Sequence, residues 1–123
     1  MIETKTANIY IKDGVLFLVY KDKAVIGINE IRENLEARIK LQGGEKVLAF
    51  VDVRKVWSYS EEARALVGGN EFKDITLAMA VVVGYSLPVK IIANFFMRFN
   101  KPNYPTKLFK KEENAIKWLK NYR

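Results

Sequence analysis

Two long, largely apolar runs, residues 46–53 and 75–83, restrict the folds that this chain can adopt. Neither run alternates strictly between apolar and polar side chains, and segments with helical spacing flank both of them. Such runs are typical of central strands in a parallel sheet, because helices cover both faces of these strands. The sequence therefore predicts an α/β fold with a mixed, largely parallel sheet.

The first third of the chain predicts a β-hairpin followed by a helix. Asp13-Gly14 separates two segments rich in β-forming residues, and both positions tolerate the positive φ that a two-residue turn requires. Apolar residues then recur at the spacing of one helix side, at Ile28, Ile31, Leu35 and Ile39. We expect Asn29 to be the N-cap of this helix and Gly43 to end it.

The rest of the chain alternates between predicted helices and strands. A second helix should begin after Ser60, and a third should span residues 86–99. A short strand over 106–109 and a closing helix over 112–122 complete the order β-β-α-β-α-β-α-β-α. We expect a sheet of four to five strands with helices packed on it. A chain of 123 residues has the size of one domain, so residues 1–123 are predicted to form a single domain.

The composition of the chain argues against several classes of active site. The sequence contains no histidine and no cysteine. These side chains supply many general acids and bases near neutral pH, the thiolate nucleophiles and most zinc ligands. We therefore expect no enzymatic activity, no metal site and no cofactor.

The sequence carries no recognisable export or membrane signal. Its first residues lack a basic segment followed by an apolar run, and the longest apolar stretch, 77–85, holds nine residues. A membrane-spanning helix needs about 20 apolar residues. Because the absence of cysteine also fits a reducing compartment, we expect a cytoplasmic protein without a membrane span.

The predicted third helix carries more apolar residues than one buried face requires. Its first apolar stripe contains Val89, Ile92, Ala93, Phe96 and Phe99. Ile91 and Phe95 form a second stripe on another face, with Arg98 and Lys101 beside it. We expect these last four residues to form an interaction surface for a homodimer or another protein. The alternatives are a lid over an apolar pocket and cover by a neighbouring segment of the chain.

The basic charge of the chain is concentrated towards its C-terminus. Residues 1–84 carry 12 basic and 12 acidic side chains, whereas residues 85–123 carry 9 basic and 2 acidic ones. The whole net charge of +7 therefore lies in the last third of the chain. Such a field could attract an acidic protein, an anionic lipid or nucleic acid, or simply keep the protein in solution. No recognition helix or RNA-binding signature accompanies it, so the sequence does not favour a nucleic-acid partner.

One polar site is expected at the end of a central strand. Asp52 lies at the end of the first apolar run, and Arg54 follows it. Ligands of open α/β sheets tend to bind at the C-terminal ends of strands. Because the sequence places no second carboxylate beside Asp52, a salt bridge or a loop hydrogen bond is favoured over acid–base chemistry.

The order of the elements and several short segments resemble those of a known family. The segments are residues 94–102, 105–109 and 113–119, which read as a helix, a proline loop, a short strand and an Ala-x-x-Trp-Leu helix. The strand that ends at residues 51–54, with Ser58 and Ser60 after it, fits the same pattern. The chain thus resembles the STAS domains, and in particular the SpoIIAA-like, or STAS-like, group of small stand-alone bacterial proteins.

The resemblance implies a sheet packed by helices, no established enzymatic activity and a possible phosphorylation site. In the regulatory STAS proteins a serine at the start of the second helix is phosphorylated, and the phosphate disrupts a protein interface. Ser58 and Ser60 are the candidates in this chain. The family's Asp-Ser-Ser-Gly motif is absent, and Glu61 and Glu62 would repel a phosphate, so plain helix capping is the favoured interpretation.

We therefore expect a non-catalytic regulatory or protein-interaction module. The alternative, from another class, is a carrier of a small apolar ligand or lipid under the third helix, as in the distantly similar CRAL-TRIO lipid-transfer domains. An enzyme that uses Asp52 is a third hypothesis, and the absence of histidine and cysteine argues against it.

Overall fold

Eight strands and five helices follow one another along residues 1–123, which the computed structural model describes in full. The strands are β1 (Ile2–Glu3), β2 (Ala7–Lys12), β3 (Val15–Tyr20), β4 (Val25–Ile26), β5 (Val47–Asp52), β6 (Ser58–Tyr59), β7 (Thr76–Val82) and β8 (Thr106–Phe109). The helices are α1 (Ile28–Gln42), α2 (Glu61–Val67), α3 (Asn70–Lys73), α4 (Leu87–Phe99) and α5 (Glu112–Leu119). A 3-10 turn over Lys120–Tyr122 follows the last helix.

Six of the strands form one mixed sheet in the order β1-β2-β3-β5-β7-β8. The first three are antiparallel neighbours, whereas β3, β5, β7 and β8 run parallel. The turn between β2 and β3 places Asp13 and Gly14 at φ 52° and 77°, as the predicted hairpin requires. The mixed, largely parallel sheet is thus confirmed, with six strands rather than four to five.

Three strands, β1, β4 and β6, have no counterpart in the predicted order. Each contains two residues, which is too short for a periodic pattern to be recognised. β1 extends the edge of the main sheet beside β2, and β4 pairs with β6 in a separate parallel ladder. This small ladder attaches the segment before α2 to the segment before α1.

The two faces of the main sheet are covered unequally. Residues of α1, α2, α3 and α4 share a core of 23 buried residues with one face, to which the sheet contributes Leu18 and Met79. On the opposite face α5 packs through Ala115 and Leu119, within a cluster of 8 buried residues that includes Phe50. Both α5 side chains are completely buried. The third predicted helix, α4, therefore lies on the same face as α1.

The first helix begins two residues earlier than the sequence predicted. Gly27 is the N-cap, and its N–H donates to Oε1 of Glu30 at 2.8 Å, whereas the expected cap Asn29 is exposed. A carboxylate three residues after the cap satisfies a free amide at the start of the helix, and this contact fixes where the helix begins. The predicted end is confirmed, since Gly43 adopts φ 75° there.

The last two helices agree with the prediction at their starts and differ at one end. The Ser86 hydroxyl caps α4 by accepting from the N–H of Val89 at 3.5 Å. The closing helix ends at Leu119 instead of residue 122, and Tyr122 lies in the 3-10 turn with 38% of its surface exposed. No helix of the chain has both the length and the apolar character that a membrane span would need.

Candidate functional site

The outward side of α4 presents a continuous apolar row to solvent. Its members occur every fourth residue, and their exposed fractions are 67% for Leu87, 49% for Ile91, 48% for Phe95 and 63% for Phe99. Residues four apart lie on the same side of a helix, so the four side chains form one ridge. The rings of Phe95 and Phe99 stack with 5.6 Å between their centroids.

Phe99 belongs to this outward row, although its spacing predicted that it would lie in the first apolar stripe, which faces the sheet. It lies three residues after the buried Phe96 and four residues after the exposed Phe95, so helical spacing alone is compatible with both sides. The rest of the inward stripe was predicted well. Val89, Ala93 and Phe96 are buried, and Ile92 is half-buried.

Basic side chains surround the apolar row. The guanidinium carbon of Arg98 lies 5.2 Å from the ring centroid of Phe99, and Lys101 is exposed just beyond the end of the helix. At the other end of α4, Nζ of Lys110 lies 5.6 Å from the ring centroid of Tyr85. Between residues 75 and 111 the chain carries six basic side chains and no acidic one. The segment that contains α4 therefore combines an exposed apolar row with a net positive charge.

A cavity of about 70 Å³ lies between α4 and the sheet. Of its 21 lining residues 18 are hydrophobic, including Leu18 and Met79 from the sheet and Val89 and Ala93 from α4. The three remaining lining residues are Asn34, Arg38 and Arg64. An apolar cavity is therefore present beneath the third predicted helix, where one of the alternative interpretations of the sequence required a pocket.

Arg38 is a buried cation in the wall of this cavity. It is 2% exposed, and its Nη2 donates to the carbonyl oxygen of Ile75 at 3.0 Å and to Oγ1 of Thr76 at 2.7 Å. Its Nε donates to Oε1 of Gln42 at 2.6 Å. All of these acceptors are neutral. Burial lowers the pKa of Arg38 to about 10, so the guanidinium is still charged at neutral pH.

Arg64, on α2, is only partly satisfied. Its Nη1 donates to the carbonyl oxygen of Tyr59 at 2.8 Å, but its Nε is buried and has no hydrogen-bond partner. Neither Arg38 nor Arg64 takes part in any of the four ion pairs of the chain. The cavity wall therefore contains two guanidinium groups without a carboxylate counter-ion.

Two tyrosine hydroxyl groups also lie at the cavity wall. The hydroxyls of Tyr20 and Tyr59 are 3.4 Å apart, within hydrogen-bond distance. Burial raises the pKa of Tyr20 to about 12 and raises the pKa of Tyr59 well above its ordinary value. Both groups are consequently neutral at physiological pH and do not balance the charge of the arginines.

Arg38 and Arg64 were not predicted as site residues, because charged residues on an amphipathic helix are ordinarily assigned to the solvent side. One signal was present. Arg38 lies seven residues after Ile31 and three after Leu35, which is the spacing of the buried side of α1. Ile39, which the periodicity had suggested for that side, is 45% exposed.

The predicted polar site at the end of the central strand is an ion pair. Arg54 donates from Nε to Oδ1 of Asp52 at 3.0 Å and from Nη2 to Oδ2 at 2.7 Å, and this interaction raises the pKa of Arg54. Oε1 of Glu112 lies 3.5 Å from the same Nη2. A cleft of about 310 Å³ adjoins Arg54 and Glu112. No group of three or more acidic side chains is close enough to hold a metal ion.

The two serines that the resemblance singled out lie next to the start of α2. Oγ of Ser60 accepts from the N–H of Ala63 at 3.1 Å, which is a helix cap. Ser58 is half-buried in β6. The exposed Glu61 and Glu62 occupy the first turn of the helix, directly after Ser60. Phosphorylation of either serine stays a prediction.

The comparisons with known proteins support the fold of the chain. It is similar to the crystal structure of an uncharacterised protein of the DUF3478 family from Shewanella loihica, which is described as having a SpoIIAA-like fold. The TM-score is 0.58 with 17% identity, over 97% of this chain and 98% of that chain. The SpoIIAA-like fold that the sequence resemblance predicted is thereby confirmed. No curated protein matches the chain. A family model for a domain of unknown function, DUF7793, matches residues 9–123, so the chain belongs to the DUF7793 family.

Proposed function

We propose that this chain is a non-catalytic interaction module that binds an acidic protein partner through the outward side of α4. The main observation behind this proposal is the exposed row of Leu87, Ile91, Phe95 and Phe99. A contiguous exposed apolar row rimmed by polar residues is a frequent mark of an interaction site. Arg98 lies against the edge of this row, and aromatic and arginine side chains are the residue types that dominate binding energy at interfaces.

The charge around the row favours a partner of opposite sign. No acidic residue occurs between residues 75 and 111, where six basic residues lie. An acidic surface with apolar residues at its centre would complement both properties of the α4 surface. A second copy of the chain fits less well, because a dimer through α4 would bring together two segments that each carry six basic residues and no acidic one.

The contacts of Asp52 support a role without catalysis. This carboxylate is the most enzyme-like group of the sequence, but both of its oxygens accept hydrogen bonds from Arg54. The contact with Arg54 therefore engages both oxygens that a general base would use. The chain also lacks histidine and cysteine, the side chains most often used for proton transfer and covalent catalysis.

A pair of isoleucine substitutions tests the docking surface. Ile91 on α4 and Ile39 on α1 are the same residue type and are 49% and 45% exposed. The partner would be captured from cells that contain the protein, purified, and titrated against the wild type and the Ile91→Glu and Ile39→Glu variants. We expect Ile91→Glu to weaken binding at least about tenfold and Ile39→Glu to leave it unchanged. Added salt should weaken the wild-type complex, since the attraction between exposed charges is screened.

Three outcomes would contradict this proposal. Equal affinities for the two variants would remove α4 from the interface. A homodimer that dissociates only in Ile91→Glu, seen by native mass spectrometry, would make a second copy the partner. Binding to vesicles of anionic lipid that is lost only in Ile91→Glu, without a protein partner, would assign the surface to a membrane.

The cavity beneath α4 favours a second candidate function, the carriage of a small apolar ligand. Its walls are almost entirely hydrophobic, but its volume of about 70 Å³ is well below the roughly 300–1,000 Å³ of typical ligand pockets. A ligand of ordinary size would therefore have to displace α4 outwards. The variant Ala93→Leu places extra atoms in the cavity, because Ala93 is a lining residue. A ligand mass carried by the purified wild type and lost in this variant would support the carrier function.

A further inference from the structure

The cavity beneath α4 combines hydrophobic walls with two positive charges. We infer that it binds the carboxylate of a small amphiphile, with Arg64 as the headgroup residue and the apolar chain between α4 and the sheet. This inference rests on the carrier function and adds the class of ligand to it. Asn34, Arg38 and Arg64 are the only lining residues that are not hydrophobic, so an acidic side chain is absent from the wall.

Arg64 is the headgroup residue because it has an unused buried donor. Its Nε has no hydrogen-bond partner, and a buried donor left unpaired costs free energy that a ligand acceptor would recover. Arg38, in contrast, already donates to Gln42, Ile75 and Thr76. Arg38 therefore contributes its charge to the site, whereas Arg64 has a direct hydrogen bond to offer.

The sign of the ligand follows from the charges that face the cavity. Neither arginine has a carboxylate within ion-pair distance, because the four ion pairs of the chain involve other basic residues. The hydroxyl groups of Tyr20 and Tyr59 are neutral, and they donate and accept hydrogen bonds without adding negative charge. Arg38 is buried and Arg64 is half-buried, so their uncompensated positive charge attracts an anion, and a carboxylate matches the planar guanidinium group.

The alkyl part of the ligand is inferred from the hydrophobic walls of the cavity. The cavity of about 70 Å³ lies between Met79 on the sheet and Ala93 on α4. Its wall contains few polar groups besides the two arginines, Asn34 and the two tyrosine hydroxyls. This space suits a short alkyl chain better than a sugar or a nucleotide, because polar groups placed there would lose their hydrogen bonds to water. A short-chain carboxylate satisfies both the guanidinium group and the walls.

The test compares two ligands that have the same alkyl chain and differ in charge. The isotopically labelled protein would be titrated with butanoate and with 1-butanol, whose short chains suit a cavity of about 70 Å³, at neutral pH and followed by NMR, including the side-chain Nε–H signal of Arg64. Arg64→Met retains a long side chain without the charge. Arg32→Met, on the exposed side of α1, changes the net charge equally and is the matched control.

We expect butanoate to bind at least about tenfold more tightly than 1-butanol, because a charge-assisted hydrogen bond is added. Butanoate alone should shift the Arg64 Nε–H signal. Arg64→Met should remove the preference, and Arg32→Met should keep it. Equal binding of both ligands to the wild type would overturn the headgroup assignment and leave the carrier function standing. If neither ligand bound, both the headgroup assignment and the carrier function would be overturned. The comparison of the two ligands on the wild type tests the headgroup assignment even if Arg64→Met does not fold.

Discussion

Arg54 holds both carboxylate oxygens of Asp52, at 3.0 and 2.7 Å, in a fork that joins the end of β5 to the loop after it. The backbone N–H of Arg54 donates to Oδ1 as well, also at 3.0 Å. The side chain of Asp52 is 10% exposed, whereas that of Arg54 keeps 40% of its surface in water. The pair therefore links the C-terminal end of β5 to the following loop. Its hydrogen bonds contribute more to this link than the attraction between the two charges, because water screens the exposed Arg54.

The first prediction concerns this pair. Asp52→Ala should lower the free energy of unfolding by about 1–2 kcal/mol, because three hydrogen bonds to a charged acceptor are lost and Arg54 remains solvated. Glu112→Ala is the control, since its contact with Arg54 is longer and more exposed and should be worth less than about 1 kcal/mol. Urea denaturation of both variants measures the difference. Equal losses would mean that the fork does not anchor the strand end.

The central elements could be predicted because their sequence patterns are long. The apolar residues 47–51 of β5 and 77–82 of β7 are uninterrupted, and the Asp13-Gly14 turn has the chemistry of a two-residue hairpin. The outward residues Ile91 and Phe95 could also be predicted, because they lie off the buried stripe of α4.

The cavity and its arginines could not be predicted in the same way. Arg38 is buried only because α1 packs where the carbonyl of Ile75 and the hydroxyl of Thr76 provide acceptors. Those acceptors lie 37 and 38 residues further along the chain, and no local pattern connects them to the helix. Arg64 depends likewise on the position of α2 over the sheet. Long-range packing, which local periodicity does not specify, decides both positions.

The second prediction concerns the close approach of two segments at Gly68. A Cβ atom at this position would overlap the carbonyl oxygen of Asn100, at the end of α4, so Gly68→Ala should force the two segments apart. We expect a loss of about 1–3 kcal/mol in the free energy of unfolding. Gly44→Ala is the matched control, because no atom lies within 4 Å of its Cβ position. It should be neutral or stabilise the protein by up to about 1 kcal/mol, since alanine restricts the unfolded chain.

Thermal and urea unfolding of the two glycine variants test this second prediction. A Gly68→Ala protein as stable as the wild type would show that the end of α4 can move aside at little cost. Such freedom would itself matter for ligand entry, because α4 covers the cavity.

The third prediction separates the two serines. Ser60→Ala removes the hydroxyl that accepts from the N–H of Ala63, and it should lower the free energy of unfolding by about 1 kcal/mol. No side-chain hydrogen bond is found for Ser58, so Ser58→Ala should have a smaller effect. Urea denaturation monitored by circular dichroism would measure both. A larger loss in Ser58→Ala would contradict the capping role of Ser60.

The last prediction concerns alkaline pH. Burial raises the pKa of Tyr20 from 10.0 to about 12, so in this pH range the folded protein keeps a proton that the unfolded chain has lost. The stabilisation is fully present below pH 10 and is lost as the pH rises through about 12, by about 1.4 kcal/mol per pH unit for one such group. Tyr20→Phe should therefore reduce the fall in unfolding free energy between pH 10 and 12, although it also loses the contact with the Tyr59 hydroxyl.

Tyr85→Phe, at a residue that is 68% exposed, is the control and should leave the fall unchanged. Urea denaturation at several pH values measures these slopes, and identical slopes in wild type and Tyr20→Phe would mean that the Tyr20 hydroxyl reaches water in the folded protein.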